Sequence, residues 1–152
     1  MPKLDRVVAK RIVAQLAGLD GDMKPLWGSM SVAQMQGHLL SVVKYTTGAG
    51  QEMPFKGNWK TRHIFRPIIL NGIKEIPHNI RLPKTKDGEV LPQVEATVET
   101  LEAAITQYLD ALEGDGLGMR THPFFGPLTA QEWQKFHHAH FMHHMKQFGC
   151  WA

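Results

Sequence analysis

The stretch FHHAHFMHHMKQF, residues 136–148, holds five of the nine histidines in this 152-residue chain. Residues four positions apart on an α-helix lie on the same face, with side chains about 5–6 Å apart, and His140 and His144 have this spacing. Neutral imidazole is a ligand for zinc, nickel, copper and iron. The spacing therefore favours two ligands of one transition metal and leaves a third ligand to be supplied by another part of the chain.

A helical wheel of this segment places His137, His140 and His144 on one stripe together with Trp133. We expect that stripe to face the core, with His143 at its edge. A buried imidazole is costly unless each ring nitrogen has a partner, and a bound metal would remove this cost. The stripe therefore predicts a metal site more strongly than a single inward histidine would.

The opposite face of the wheel carries His138, Met142 and Met145. We expect His138 to be solvated, and a non-catalytic role would have the two methionines pack against a second subunit. His78 and His122 lie beside prolines in loops, where we expect structural roles. Three tryptophans are expected in the core: Trp27, Trp133 and Trp151.

The third ligand is predicted from an earlier helix. Ser31 and Gln34 form an S-x-x-Q capping box, so a helix should begin directly after Ser31. His38 falls on the apolar face of that helix, beside Met35 and Leu39, where an imidazole without a partner would be hard to accommodate. His38 is therefore the leading candidate to complete the site.

The remaining apolar periodicity predicts an all-α fold in a single domain, residues 1–152. Helices are expected at residues 3–19, 32–47, 59–70, 93–112 and 130–148, and Thr129 with Glu132 forms a second capping box. Residues 73–93 contain three prolines and are predicted to form a long irregular connection between the third and fourth helical segments. No strand-like segment longer than a few residues stands out.

Composition narrows the functional classes. Cys150 is the only cysteine, which excludes an intrachain disulfide and favours a cytoplasmic setting. The chain lacks an apolar run of about 18 residues, so no membrane segment is expected. The formal charge of +3 is modest, and no nucleic-acid recognition motif is present. We therefore expect neither a membrane nor a nucleic acid as a partner.

Two segments resemble a known family. The segment HFMHHMKQ, residues 140–147, resembles the H-x-x-H-H-x-x-Q ending of the DinB/YfiT-like superfamily, and MQGHLL, residues 35–40, resembles its early-helix histidine. The longer segments PLWGSMSVAQMQGHLL, residues 25–40, and HPFFGPLTAQEWQKFHHAH, residues 122–140, are similar to a branch of unknown function. The resemblance spans the chain from the first helix to Gly149.

The resemblance implies a four-helix bundle, often a homodimer, with one divalent metal, zinc or nickel in many members. Carried over to this sequence, the ligands would be His38, His140 and His144. His143 would be an adjacent polar residue, Gln147 would orient a ring or a bound water, and we place His137 in the same surrounding shell.

Characterised members of the superfamily are thiol transferases and isomerases that use bacillithiol, mycothiol or glutathione. The expected function is therefore a metal- and thiol-dependent transferase acting on a small electrophile, with Arg62, Arg66 or Arg81 as candidates to hold the carboxylates of the thiol. Two alternatives stay open, a metal-dependent hydrolase and a non-catalytic metal-binding or stress-response protein. Cys150 lies beyond the last helix, and the sequence assigns it no role.

Overall fold

Helices form most of the structure. The computed structural model describes residues 2–78, 84–85, 88–89 and 96–151. Its helices are α1 (Arg6–Ala17), α2 (Val32–Thr46), α3 (Arg66–Leu70), α4 (Val98–Glu113) and α5 (Ala130–Gln147). The predicted mainly helical character is confirmed, and none of the described helices has the length and apolar character needed to cross a membrane.

Side-chain caps fix where the helices begin. Both predicted capping boxes are present, at Ser31 for α2 and at Thr129 for α5. Asp5 caps α1 by accepting a hydrogen bond from the backbone of Val8 at 2.9 Å, so α1 starts three residues later than predicted. Thr97 caps α4, so this helix begins at Val98 rather than at residue 93, and residues 90–95 lie outside the described part. Each cap satisfies backbone N–H groups that the helix itself leaves free.

The third predicted helix combines a π-helical turn with an α-helix. A π-helical turn, Thr61–Phe65, runs directly into α3, and the backbone N–H of Arg66 donates to the carbonyl of Thr61, five residues earlier. Pro67 explains the wide turn. It has no N–H to donate, and in a regular helix its ring would clash with the carbonyl four residues before it.

The described residues also contain two small antiparallel hairpins, whose strands are at most three residues long, in agreement with the expectation that no strand-like segment exceeds a few residues. Strand β1 (Lys84–Thr85) pairs with β2 (Gly88–Glu89), and β3 (Arg120–His122) pairs with β4 (Gly126–Leu128). Strands of two or three residues are too short to show a period-two pattern. About half of the predicted connection at 73–93 falls outside the described residues, because 79–83, 86–87 and 90–93 are not described.

The long helices pack around one large apolar core. Helix α2 contacts α4 and α5, and α1 contacts α4. Met142 and Met145 are only 9% and 0% exposed and belong to this core. The idea that they pack against a second subunit is therefore wrong, because α5 buries much more of its circumference than a single stripe.

A smaller core supports the β3–β4 hairpin against α2 and α5. Trp133 is 1% exposed, as predicted, and its Nε1 donates to the carbonyl of Arg120 at 3.0 Å. The hydroxyl of Tyr45 donates to the carbonyl of Thr121 at 2.8 Å and accepts from the backbone N–H of Met53 at 2.9 Å. These bonds hold the hairpin beside the first turns of α5.

Candidate metal centre

The three predicted ligands meet in the structure. The Nε2 atom of His140 lies 2.9 Å from Nε2 of His38 and 3.1 Å from Nε2 of His144. One ring nitrogen from each residue lies within 4.8 Å of the other two. Zinc–nitrogen bonds of 2.0–2.1 Å in tetrahedral geometry place neighbouring nitrogens about 3.3 Å apart. The spacing of the cluster is therefore on the scale of a single metal ion.

The rings are also oriented as ligands of one centre. Their planes are steeply inclined to one another, at 86° for His38 and His140, 75° for His38 and His144, and 72° for His140 and His144. The centroids lie 4.8–5.0 Å apart, so the rings do not stack on each other. Helix α5 supplies two of the three histidines through its i, i+4 spacing, and the contact between α2 and α5 brings the third.

A chain of hydrogen bonds fixes the tautomer of His144. Gln147 donates from Nε2 to the carbonyl of Trp27 at 2.9 Å, so its Oε1 must face the other way. That oxygen lies 2.8 Å from Nδ1 of His144 and can only accept, so the proton of His144 sits on Nδ1. The Nε2 lone pair of His144 therefore points at the cluster, as metal ligation requires. The expected orienting role of Gln147 agrees with this geometry.

Gly28 permits the close approach of this loop to α5. Its φ is +77°, a conformation that side chains rarely adopt, and a Cβ there would lie 3.0 Å from Nε2 of Gln147. The backbone N–H of Leu26 also donates to the carbonyl of Gln147 at 2.7 Å. The loop before α2 is thus held against the end of α5.

Burial favours the neutral form of two of the clustered histidines, His140 and His144. His140 and His144 are each 7% exposed, while His38 is half-buried. Burial, with the neighbouring imidazoles, holds the pKa of His140 well below its ordinary value, and burial with the charge of His38 lowers the pKa of His144 to about 3. Neutral imidazoles are the ligand-competent form. If three neutral imidazoles bring their Nε2 atoms together, a proton on one Nε2 cannot form good hydrogen bonds to both of the others. A cation at the centre would bind all three lone pairs and so remove this problem.

His143 and His137 lie beside the cluster, not in it. Nδ1 of His143 donates to the carbonyl of Ile76 at 3.2 Å, and its ring meets that of His144 edge-on with centroids 4.9 Å apart. The hydroxyl of Thr46 donates to the carbonyl of Val43 at 2.7 Å, so it accepts from Nε2 of His137 at 3.0 Å. His137 is therefore anchored to α2, about one helical turn before His140 on α5.

The other histidines have separate environments. His122 is buried, and its Nδ1 accepts from the backbone N–H groups of Phe124 and Phe125 at 3.1 and 3.2 Å, which confirms its structural role. His78 stacks on Trp27 with centroids 3.7 Å apart. His138 is half-buried, not fully solvated as expected.

Sequence reasoning missed two residues that shape the cluster. Trp27 was expected in the core, but it is half-buried, and its main contribution to the site is the carbonyl that orients Gln147. Thr46 gave no signal beyond its position near the end of α2, yet its hydroxyl sets the proton position of His137. Backbone carbonyls and single hydroxyls leave no pattern in a sequence, so only the fold reveals them.

The candidates to hold a thiol are not assembled at the cluster. Arg66 forms an ion pair with Glu132, and Arg62 lies over Phe55, so neither guanidinium contacts the three histidines. Arg81 lies outside the described residues. The thiol of Cys150 donates to the carbonyl of Met145 at 3.4 Å, and burial raises its pKa.

These observations define a mainly helical protein with a buried cluster of three histidines that can hold a metal ion. A family model described as "Protein of unknown function (DUF1569)" matches residues 3–149. The chain therefore belongs to the DUF1569 family. Comparison with curated proteins and with solved structures finds no match.

Proposed function

We propose that this protein is a divalent-metal enzyme of the DinB/YfiT-like type, with His38, His140 and His144 as ligands of zinc or nickel. The observation that carries the proposal is the convergence of three Nε2 atoms, two of them 2.9 and 3.1 Å from the third. Gln147 supports it, because its oxygen holds the proton of His144 on the nitrogen that faces away from the centre. Structural histidines would not require that arrangement.

The ligand set favours a catalytic site over a structural one. Three neutral histidines leave at least one coordination position for a small molecule, as in zinc enzymes with three protein ligands. When bound, a divalent ion lowers the pKa of a thiol or of water and so supplies a nucleophile at neutral pH. His38 is the most exposed of the three, so we place the approach of a substrate on its side.

The proposed reaction is the transfer of a low-molecular-weight thiol to a small electrophile. The S–H bond breaks and its proton leaves to solvent, while a new S–C bond forms as the electrophile loses its leaving group. The thiol comes from solution, because Cys150 is engaged with the backbone of Met145 and is not a member of the cluster. Burial of His140 and His144 keeps bulk water away from two of the three ligands.

Metal analysis tests the site. Purified wild type, loaded with zinc or nickel and desalted, should retain about one ion per chain, whereas His38→Ala and His140→Ala should retain at least tenfold less. His63→Ala is the control, because His63 is exposed on the π-helical turn. If a substituted chain fails to fold, removal and return of the metal from wild type with a chelator gives the same comparison. Equal metal content in all variants would reject the site.

Turnover assays test the chemistry. Metal-loaded protein is mixed with 1-chloro-2,4-dinitrobenzene and either glutathione or mercaptoethanol, and the thioether product is measured. The proposal expects a rate above that of the metal-free protein and loss of that rate in His140→Ala. Release of the leaving group without thioether would instead indicate a hydrolase. Metal binding without any turnover across a wider panel of thiols and electrophiles would indicate a non-catalytic metal-binding protein.

A further inference from the structure

A second concave site lies on another face of α5. A cavity of about 160 Å³ opens between this helix, the end of α3 and the segment that follows α3. One side of it is a continuous face of α5 with helical spacing, formed by Lys135, His138, Ala139, Met142, His143 and Lys146. None of the three clustered histidines lines the cavity, so it is distinct from the candidate metal centre, which it adjoins at His143.

The floor of the cavity is apolar. Ile69 and Leu70 come from α3 and are 6% and 5% exposed, and Met142 from α5 is 9% exposed. Ala139 completes this surface between them. A ligand that covered it would gain from burying its own apolar part, at about 25 cal/mol for each Å² removed from water.

The rim is cationic. Lys74, Lys135 and Lys146 contribute three ammonium groups, and Glu75 contributes the one carboxylate. Glu75 is already paired with Lys146. Lys74 and Lys135 make no ion pair with any other described residue. The lining therefore carries a net charge of about +2 at pH 7. This charge lies next to the apolar floor.

We propose that this cavity binds a small carboxylic acid, with the carboxylate between Lys74 and Lys135 and a short aliphatic chain on the floor formed by Ile69, Leu70, Ala139 and Met142. An anion alone would satisfy the rim but make no contact with the apolar floor. A neutral apolar molecule would cover the floor but leave two ammonium groups without a counter-charge. A short-chain carboxylate matches both halves of the cavity, and its site lies beyond the proposed metal-dependent activity.

The test is a titration followed by amide NMR shifts, with the signals of Gly72 and Ala139 as reporters of the cavity. Hexanoate should bind saturably in the millimolar range. Hexanol, which lacks the charge, and inorganic phosphate, which lacks the chain, should each bind several-fold more weakly. Raising the salt concentration should weaken hexanoate binding because the charges at the rim are screened.

Matched variants test which lysine ammonium groups bind the carboxylate. Lys135→Met keeps the aliphatic stem and removes the ammonium group, and we expect about two- to fivefold weaker hexanoate binding, the usual size of one exposed ion pair. The double variant Lys74→Met/Lys135→Met should lose about tenfold. Lys10→Met is the control, because Lys10 is exposed on α1 and does not line the cavity. Lys135→Gln replaces Lys135→Met if the latter does not give a folded spectrum.

A carboxylate could also bind a metal, so the titration is repeated after chelation. Hexanoate binding that persists in the chelated protein and follows the lysine variants supports the cavity. Binding that disappears on chelation places the ligand at the metal centre and overturns the proposal. An absence of saturable shifts at Gly72 and Ala139, or an equal effect of Lys10→Met, overturns it as well. None of these results depends on whether the metal centre is catalytic.

Discussion

Two buried histidines, His122 and His140, differ in what their nitrogens face. They are 5% and 7% exposed, and burial lowers the pKa of both. Nδ1 of His122 accepts from two backbone N–H groups. Nε2 of His140 faces the Nε2 atoms of two other histidines, and its Nδ1 has no partner among the described residues. Burial alone thus does not separate a structural imidazole from a ligand, but the chemistry of its neighbours does.

His137 shows an intermediate case. It is fully buried and shares the helical stripe of the ligands, yet its Nε2 is bonded to Thr46. The stripe predicted from the helical wheel therefore contains one anchored histidine and two converging ones. The distinction depends on α2, which presents a hydroxyl opposite His137 and an imidazole opposite His140.

The largest expected effect separates the two kinds of histidine by stability. His122→Ala removes the acceptor of two backbone N–H groups and leaves a gap beside Phe125 and Phe136, whose rings lie 4.5 Å from that of His122. We expect the free energy of unfolding to fall by about 2–4 kcal/mol, measured by urea denaturation, with metal content unchanged. His122→Asn keeps an acceptor and should lose less. A loss of metal in His122→Ala would show that the two sites are not independent.

The next effect concerns the residue that orients a ligand. Gln147→Leu removes the acceptor for Nδ1–H of His144, so we expect metal affinity to fall by about 10–100-fold. Competition with a chromophoric chelator measures this affinity. Gln134→Leu is the matched control on α5, because Gln134 bonds to the carbonyl of Leu4 and does not contact the cluster. Equal affinity in wild type and Gln147→Leu would mean that the tautomer of His144 is fixed by something else.

The smallest effect is a pH dependence. In the unfolded chain His122 takes up a proton below about pH 6.5, whereas in the folded protein burial lowers its pKa to about 3. Between these values the unfolded state binds more protons, so His122 costs stability as pH falls, by up to about 1.4 kcal/mol per pH unit. The destabilisation caused by His122→Gln should therefore be about 2 kcal/mol smaller at pH 5 than at pH 7. An equal destabilisation at both pH values in urea denaturation would contradict the lowered pKa.

Local signals in the sequence were enough to predict much of the fold. The capping boxes at Ser31 and Thr129 set the starts of α2 and α5, because the Ser or Thr at each cap accepts from a backbone N–H three residues on. The long fourth helix began later than its apolar pattern suggested, because the cap at Thr97 decided its start. The β3–β4 hairpin was not predicted, because its strands are too short to show a pattern and are held in part by Tyr45, which lies 76 positions from Thr121.

The candidate site, like the fold, could be predicted from the sequence only in part. The pair His140 and His144 followed from helical spacing, and His38 followed from its place on an apolar face. The faces of α5 were harder to assign, because Met142 and Met145 were placed outside and are buried. A helix that contacts neighbours on several sides does not have one inner and one outer face.

His38 and His140 are 102 positions apart in the chain, yet their Nε2 atoms nearly touch. An ion held by both would close a loop of that length. Closing a loop of about 100 residues corresponds to roughly 4–5 kcal/mol of chain entropy in the cross-link model. The metal would then act as a removable cross-link between the early and late segments, and its removal would lower the free energy of unfolding of the whole bundle while the folded structure remains.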